Sequence, residues 1–305
     1  METVLSTKAL SKRYKRHMAV DAVDIQIQRG DIYGFVGENG SGKTTVIRLI
    51  TGLIFPHSGS FTLFGVDSRS KEIGQARSRV GAVVESPSIY MNMSAYDNLK
   101  TQSTICGIDD EEKIRSVLQD VGLEALYADK KHARNFSLGM RQRLGIAMAL
   151  LSDPEFLILD EPMNGLDPAG IVDIRELILK LNRERGITFL ISSHILTELS
   201  LIATKYGIIS KGKLIQQITA EQLRKACTKT VHIQADDPQK LMEVVKATVD
   251  NPCEIAADGV KIQGETDLTA LLSAILAQGL KILNIHCGVT TFEDYYLSVI
   301  GGDRQ

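Results

Sequence analysis

Residues 37–44 read Gly37-Glu38-Asn39-Gly40-Ser41-Gly42-Lys43-Thr44, an instance of G-x-x-x-x-G-K-[ST]. An apolar run, Ile32-Tyr33-Gly34-Phe35-Val36, leads in, and the helix-like Thr45-Val46-Ile47-Arg48-Leu49-Ile50 leads out. Strand, glycine-rich turn and helix start, in that order, make a phosphate cradle. The glycines let consecutive backbone N–H groups turn inward on α- and β-phosphates, and the helix N-terminus adds its positive dipole end. Gly37, Asn39, Gly40, Ser41, Gly42, Lys43, Thr44 and Thr45 are the expected nucleotide-binding residues. Lys43 is expected to reach the β/γ-phosphates and the Thr44 hydroxyl to ligate Mg²⁺. A glycine-rich turn that binds nothing leaves the Lys-Thr pair at the helix start unexplained. The chain is therefore expected to bind a nucleoside triphosphate.

Further on, Phe156-Leu157-Ile158-Leu159-Asp160-Glu161-Pro162 is four apolar residues running into two carboxylates. A buried parallel strand delivers Asp160 at its carboxyl end, beside the phosphate loop, where it can hold Mg²⁺. Glu161 then stands where it can polarise a water in line with the γ-phosphate. A solvated turn punctuated by Pro162 is the plainer alternative, and the cradle upstream disfavours it. Between the two motifs lies Asn135-Phe136-Ser137-Leu138-Gly139-Met140-Arg141-Gln142-Arg143-Leu144. Ser137 is a good N-cap there, so a helix start presents a hydroxyl and free N–H groups.

The patterning around these motifs is that of an α/β chain. Residues 1–30 read as short antiparallel strands, Val4-Leu5 and 22–27, followed by a turn at Arg29-Gly30-Asp31. Strands are also expected at 61–65 and 80–84. From residue 95 to about 150 the periodicity is helical, with Ile114, Val117, Leu118 and Val121 at i, i+3, i+4 and i+7. The mostly apolar runs 156–159, 188–191 and 206–209 suit parallel strands buried on both faces, hence a doubly wound sheet. Near residue 219 the pattern changes, with Thr219 as an N-cap and Gln222 completing a capping box. Beyond it come a strand (230–233), a helix (238–248), two strands (253–256, 260–263), a helix (268–278) and a strand (281–286). That order is a small α+β, ferredoxin-like domain, closed by a helix from 291 to about 300. The expected division is residues 1–220 and 221–305, with a helical subdomain at about 90–150.

Bulk properties exclude several classes. With 305 residues, 44% hydrophobic and 24% charged, the chain is ordinary for a globular protein of one large and one smaller domain. A net charge of −2 gives no electrostatic argument for nucleic acid or an anionic membrane surface. Lys12-Arg13-Tyr14-Lys15-Arg16-His17 reads as a short solvated face. Cys106, Cys227, Cys253 and Cys287 are scattered without a C-x-x-C pair, as expected of free thiols in a reducing cytosol. No apolar h-region opens the chain and no stretch approaches about eighteen apolar residues, so any membrane part is expected from another chain.

Together these residues, in type and order, resemble the nucleotide-binding subunit of an ABC transporter, over about residues 3–220. The resemblance implies a P-loop NTPase fold with a RecA-like parallel sheet core, an antiparallel β subdomain and a helical subdomain. It implies ATP hydrolysis with Mg²⁺, separate transmembrane permease subunits, no nucleic acid, and a place at the cytoplasmic face of the cell membrane. It also implies a head-to-tail dimer with a second copy of the chain. Each ATP is then held by the phosphate loop of one copy and by Ser137 and Gly139 of the other. By the same resemblance Tyr14 stacks on adenine, Asn164-Gly165-Leu166-Asp167 signals across the dimer, and His194 contacts the γ-phosphate. Lys43, Glu161 and His194 become the expected catalytic residues.

Two departures from the family pattern narrow the resemblance. Glu85 stands where the family usually places a glutamine that reaches Mg²⁺, so Thr44, Glu85 and Asp160 are the expected metal ligands. The signature reads Phe-Ser-Leu-Gly-Met rather than Leu-Ser-Gly-Gly-Gln, which makes the patch more apolar while keeping Ser137 and Gly139. Both are similar to ATP-binding subunits of exporters that protect bacteria from peptide antibiotics, of the bacitracin and lantibiotic-immunity kind. A non-transport ATPase of the same superfamily, acting on ribosomes or nucleic acid, is the alternative. The single phosphate loop and the lack of a long heptad run weigh against it. The C-terminal domain is expected to mediate dimer contacts or regulation. Its Cys227, Cys253, Cys287 and His286 have no spacing typical of a metal site.

Overall fold

A computed structural model describes residues 2–301, apart from 228, 257, 265 and 290. Its contacts divide the chain into two compact units, the boundary falling between Ala220 and Glu221.

The first unit opens with β1 (Thr3–Tyr14), which turns at Lys15-Arg16 into β2 (His17–Val23) and also pairs with the three-residue β3 (Gln26–Gln28). The wholly buried β4 (Ile32–Val36) runs into α1 (Lys43–Thr51). Next come β5 (Ser58–Leu63), β6 (Val66–Asp67), the short α2 (Ile73–Arg77) and β7 (Val80–Val83). Three helices follow: α3 (Ala95–Ile105), α4 (Glu111–Asp120) and α5 (Leu138–Leu150). The chain then alternates through β8 (Phe156–Asp160), α6 (Pro168–Arg185), β9 (Thr188–Ser193), α7 (Leu196–Ser200) and β10 (Lys205–Ser210). Finally β11 (Lys213–Thr219) folds back on β10.

Two sheets result. One is antiparallel, ordered β2-β1-β5-β6 with β3 also against β1. The other is ordered β11-β10-β4-β9-β8-β7, parallel except for β11. Strands β4, β8 and β9 are buried at every position, which is why their sequences run mostly apolar without alternation, with polar residues only at the ends of β8 and β9. Phe35, Phe156, Ile158, Leu190 and Ile209 from this sheet pack with Val46, Ile47 and Ile50 of α1. Because β4, β9 and β8 are neighbours, their carboxyl ends open on one place, at a register of Val36 to Ser193 and Asp160 to Ser192.

The helices start where local chemistry supports them. Ser94 and Asp97 make a capping box for α3, Asp110 caps α4, and Asp167 with Pro168 opens α6. Ile114, Val117 and Leu118 bury one stripe of α4, as their spacing predicts.

Two expectations are corrected and one strand is added. β1 is twelve residues long rather than Val4-Leu5 alone, because register shifts on either side of Lys12 break the period-2 pattern. Residues 22–27 are not one strand: Ala22 has φ 48°, β2 ends at Val23, and β3 starts afresh at Gln26. Strand β11 had no counterpart in the sequence reading, and it extends to Thr219, so that α8 (Ala220–Ala226) begins at the next residue.

The second unit contains β12 (Lys229–Ala235), α9 (Pro238–Thr248), β13 (Cys253–Ala256), β14 (Gly259–Gln263), α10 (Leu268–Ala277), β15 (Ile282–Val289) and α11 (Phe292–Gly301). Its antiparallel sheet is ordered β13-β14-β12-β15. That is the split-βαβ arrangement, with the first and third strands at the centre. Asp237 and Asp267 cap α9 and α10, and Leu241, Val245, Leu271 and Ile275 seal Val231, Ile233, Val260 and Ile262.

Candidate nucleotide site

The loop between β4 and α1 is built for close backbone approach. Gly42 has φ +111°, a region that L side chains rarely adopt, and a Cβ there would lie 2.6 Å from the Ala19 carbonyl oxygen. A Cβ at Gly37 would stand 2.4 Å from the Ile209 carbonyl oxygen. Gly40, by contrast, has nothing within 4 Å of its Cβ position, so this side of the loop is open. Lys43 is only 5% exposed and arches back over the loop. Its Nζ donates to the carbonyl oxygens of Gly37 at 2.7 Å and Glu38 at 3.2 Å. Thr44 and Thr45 follow, half-buried, on the first turn, where N–H groups have no partner within the helix.

Asp160 ends β8 with 2% exposure. Ser192, its register partner on β9, donates its Oγ hydrogen to Asp160 Oδ1 at 2.5 Å. The same Oγ accepts from the Glu161 backbone N–H at 2.9 Å. Glu161 has φ 51°, a left-handed backbone uncommon for anything but glycine. Its Oε2 lies 2.7 Å from His194 Nδ1, and its Oε1 lies 3.2 Å from Lys43 Nζ. Oε1 is buried and makes no aligned hydrogen bond. Asp160, Glu161, Ser192 and His194, from the ends of two adjacent strands, thus converge with Lys43 at the start of α1.

The remaining expected residues lie further out. Glu85 follows β7 with φ 63°, and its carboxylate pairs with the Arg48 guanidinium of α1. Tyr14 ends β1, 43% exposed, with Lys12 Nζ 5.4 Å from its ring centroid. Ser137 caps α5, its Oγ accepting from the Met140 N–H at 3.2 Å, and Gly139 sits within that first turn. Leu138 between them is exposed and lies against Gly165. Among the described residues, no hydrogen bond or ion pair joins Tyr14, Glu85, Ser137 or Gly139 to the phosphate loop. Ser192 and Arg48 were given no role from sequence. Register identifies Ser192, and helical spacing from Thr44 brings Arg48 into view.

Two observations bear on what fits. Ser41 Oγ is buried without a hydrogen-bond partner at the loop, an orphan that a phosphate oxygen would satisfy. Among the described residues no cluster of three or more His, Cys, Asp or Glu forms a protein-only metal cage, in either unit. A Thr hydroxyl with one or two carboxylates is instead the sparse hard-oxygen set Mg²⁺ takes when phosphates supply the rest.

The family model described as ABC transporter matches residues 20–164. The bacitracin transport ATP-binding protein BcrA of Bacillus licheniformis is 41% identical over 307 residues, covering 99% of each chain. The chain belongs to the ATP-binding proteins of ABC transporters. The lantibiotic transport ATP-binding protein SrtF of Streptococcus pyogenes is 41% identical over 212 residues, 70% of this chain and 89% of that one. Among solved structures, cbiO1 of Clostridium perfringens, part of the ABC transporter complex cbiONQ, superposes with a TM-score of 0.66 at 25% identity. It spans 81% of this chain and 96% of its own. The ABC cassette expected from sequence is therefore borne out, and with it an ATP-binding, ATP-hydrolysing subunit of a transporter. The ribosome or nucleic-acid alternative is not favoured, since these relatives are named for transport. Among the described residues of this cassette, no helix is long and apolar enough to cross a membrane.

Proposed function

We propose that this chain powers a separate membrane permease that expels peptide antibiotics of the bacitracin or lantibiotic kind. What carries the reading is that identity to a bacitracin transport protein extends over 99% of both chains, and so takes in the C-terminal unit. In this reading residues 1–220 are the ATPase, with a helical subdomain at about 90–150, and residues 221–305 are an accessory domain for dimer contacts or regulation. The subunit works at the cytoplasmic face of the membrane, held there by the permease.

Catalysis is positioning and electrostatics, because phosphoryl transfer asks the protein for little covalent chemistry. Backbone N–H groups of residues 37–45 cradle the phosphates and Lys43 meets the β/γ-oxygens. Glu161 orients the attacking water through Oε1, while His194 fixes Oε2 and itself steadies charge on the γ-phosphate. Thr44, Asp160 and Glu85 would hold Mg²⁺, which when bound would supply neutralisation of the phosphate charge. Tyr14, at the exposed end of β1, stacks on adenine. Ser137 and Gly139, at the exposed start of α5, complete the site of a second copy, so that two ATP molecules hold a head-to-tail dimer. Replacing Glu161 by Gln removes the polarising carboxylate but not the binding surface. Light scattering on that variant with MgATP is expected to report a dimer; a monomer under saturating ATP would refute the sandwich. A deletion strain tested against bacitracin and a lantibiotic decides the substrate, and unchanged susceptibility to both would remove the antibiotic assignment.

A further inference from the structure

Glu85 poses a problem that the proposed site does not solve by itself. A carboxylate where the family usually has an amide brings an additional negative charge toward a tetra-anionic nucleotide. The fold answers with Arg48. This residue lies on α1, whose first turn carries Lys43 and Thr44. Thr44 and Arg48 are four residues apart, so they share a face of the helix, one turn apart. The Arg48 guanidinium pairs with the Glu85 carboxylate.

The loop that carries Glu85 has few other positions open to it. Glu85 is held at φ 63°. Two residues on, Pro87 packs so tightly on α5 that a Cβ at Gly145 would lie 2.5 Å from the Pro87 Cβ. Val84, Ser86, Pro87 and Ser88 line one side of an open pocket of about 510 Å³, with Gln102 of α3 and Gly145 and Met148 of α5 on the other. The loop is therefore anchored on α5 at Pro87, while at Glu85 its link to α1 is the ion pair with Arg48. The side chains of Arg48 and Glu85 are 37% and 60% exposed, so the pair is solvated and easily opened.

We propose that Arg48 is a positioning residue that withholds the Glu85 carboxylate from the metal. Arg48 and the Mg²⁺ held at Thr44 compete for one carboxylate along one face of α1. This rests on the nucleotide site proposed above. A glutamine at position 85 has no charge to hold and escapes the competition, so the coupling exists only with glutamate.

The test uses the full-length protein with ADP and Mn²⁺, a paramagnetic stand-in for Mg²⁺ whose free concentration is read by electron paramagnetic resonance. Wild type, Arg48→Met, Arg48→Lys, Glu85→Gln and the Arg48→Met/Glu85→Gln double variant are compared. Arg48→Met is expected to tighten Mn²⁺ binding by about two- to fivefold, the size of coupling in an exposed ion pair. Arg48→Lys keeps the wild-type value, and Arg48→Met has no effect once Glu85 is Gln. An equal shift in both backgrounds, weaker metal binding in Arg48→Met, or no shift at all overturns the proposal. Metal-free binding of fluorescent ADP is measured alongside. Wild type that fails to bind ADP sinks the nucleotide site, and this inference with it; ADP binding without the coupling sinks the inference alone.

Discussion

Ser192 shows how one hydroxyl sets the geometry of two carboxylates. It donates to Asp160 and accepts from the backbone of Glu161 with no exposure of its own, so nothing in solvent can replace it. Ser192→Ala leaves Asp160 short of a donor and the Glu161 N–H short of its side-chain acceptor. The Glu161 N–H keeps the Ser192 carbonyl at 3.2 Å, so the expected loss of about 1–3 kcal/mol of folding stability comes from the buried Asp160 carboxylate left without its donor. Hydrolysis should fall by about 10- to 100-fold, as when a residue supporting a metal ligand is removed. Urea unfolding and steady-state phosphate release measure the two effects; wild-type turnover in a folded Ser192→Ala protein would rule out this role. Asp160 and Glu161 were legible because an apolar run ends on them. Ser192 was not, since it stands thirty-two residues away in sequence and only the β8–β9 register joins them. Glu85 belongs to the same scale. Glu85→Gln should preserve ATP hydrolysis while weakening protection against antibiotic, and complete loss of ATPase activity in the purified protein would contradict this.

Strand ends on the opposite side of the parallel sheet are tied differently, by charge without chemistry. Arg79, just before β7, places Nε 2.5 Å from Glu155 Oε1, and Arg29, before β4, places Nη2 2.6 Å from Glu155 Oε2. Arg79 is the main cause, with Arg29 assisting, that holds the Glu155 carboxyl down at about 2 against an ordinary 4.5. A carboxyl depressed on folding stabilises fully above its unfolded value, and the contribution disappears as pH falls from about 4.5 towards 2. Glu155→Gln should therefore destabilise at pH 7 and match wild type near the bottom of that window. These side chains are about one-third exposed, so solvent screening limits the effect to about 1 kcal/mol or less. Denaturation curves across pH 2–7 check it, and a difference that widens on acidification would reverse the assignment. Legibility at this scale followed the regularity of the backbone. The elements of the second unit were readable because Asp237-Pro238 and Asp267 announce its helices and its strands lie between clear turns. β1 was not, because bulges shift its alternation, and β11 was not, because Lys211-Gly212 makes its tight turn at φ 47° and 81° without an Asn-Gly or Asp-Gly signal.

At the scale of the whole molecule, each unit closes its own core. The first packs its sheets around Phe35, Phe156 and Leu190, and the second seals Ile233, Val260 and Ile262 beneath two helices. Two separate cores make a single all-or-none transition the less expected outcome for a chain of this length. All residues proposed to hold nucleotide lie before residue 200, so a ligand acts directly on the unit that contains them. Linkage then sets the size of the shift: ADP with Mg²⁺ at one hundred times its dissociation constant adds about 2.7 kcal/mol to that unit. Calorimetry on the full chain is expected to resolve two transitions, of which one moves up with nucleotide and the other keeps its midpoint. Lys43→Ala, which removes the cation for the β/γ-phosphates, should abolish the movement while leaving both transitions in place. If nucleotide instead carries every transition upward together, the C-terminal unit shares the stability of the ATPase. It would then be coupled to the nucleotide cycle thermodynamically, which favours the regulatory role, whereas an unmoved second transition favours dimer contacts.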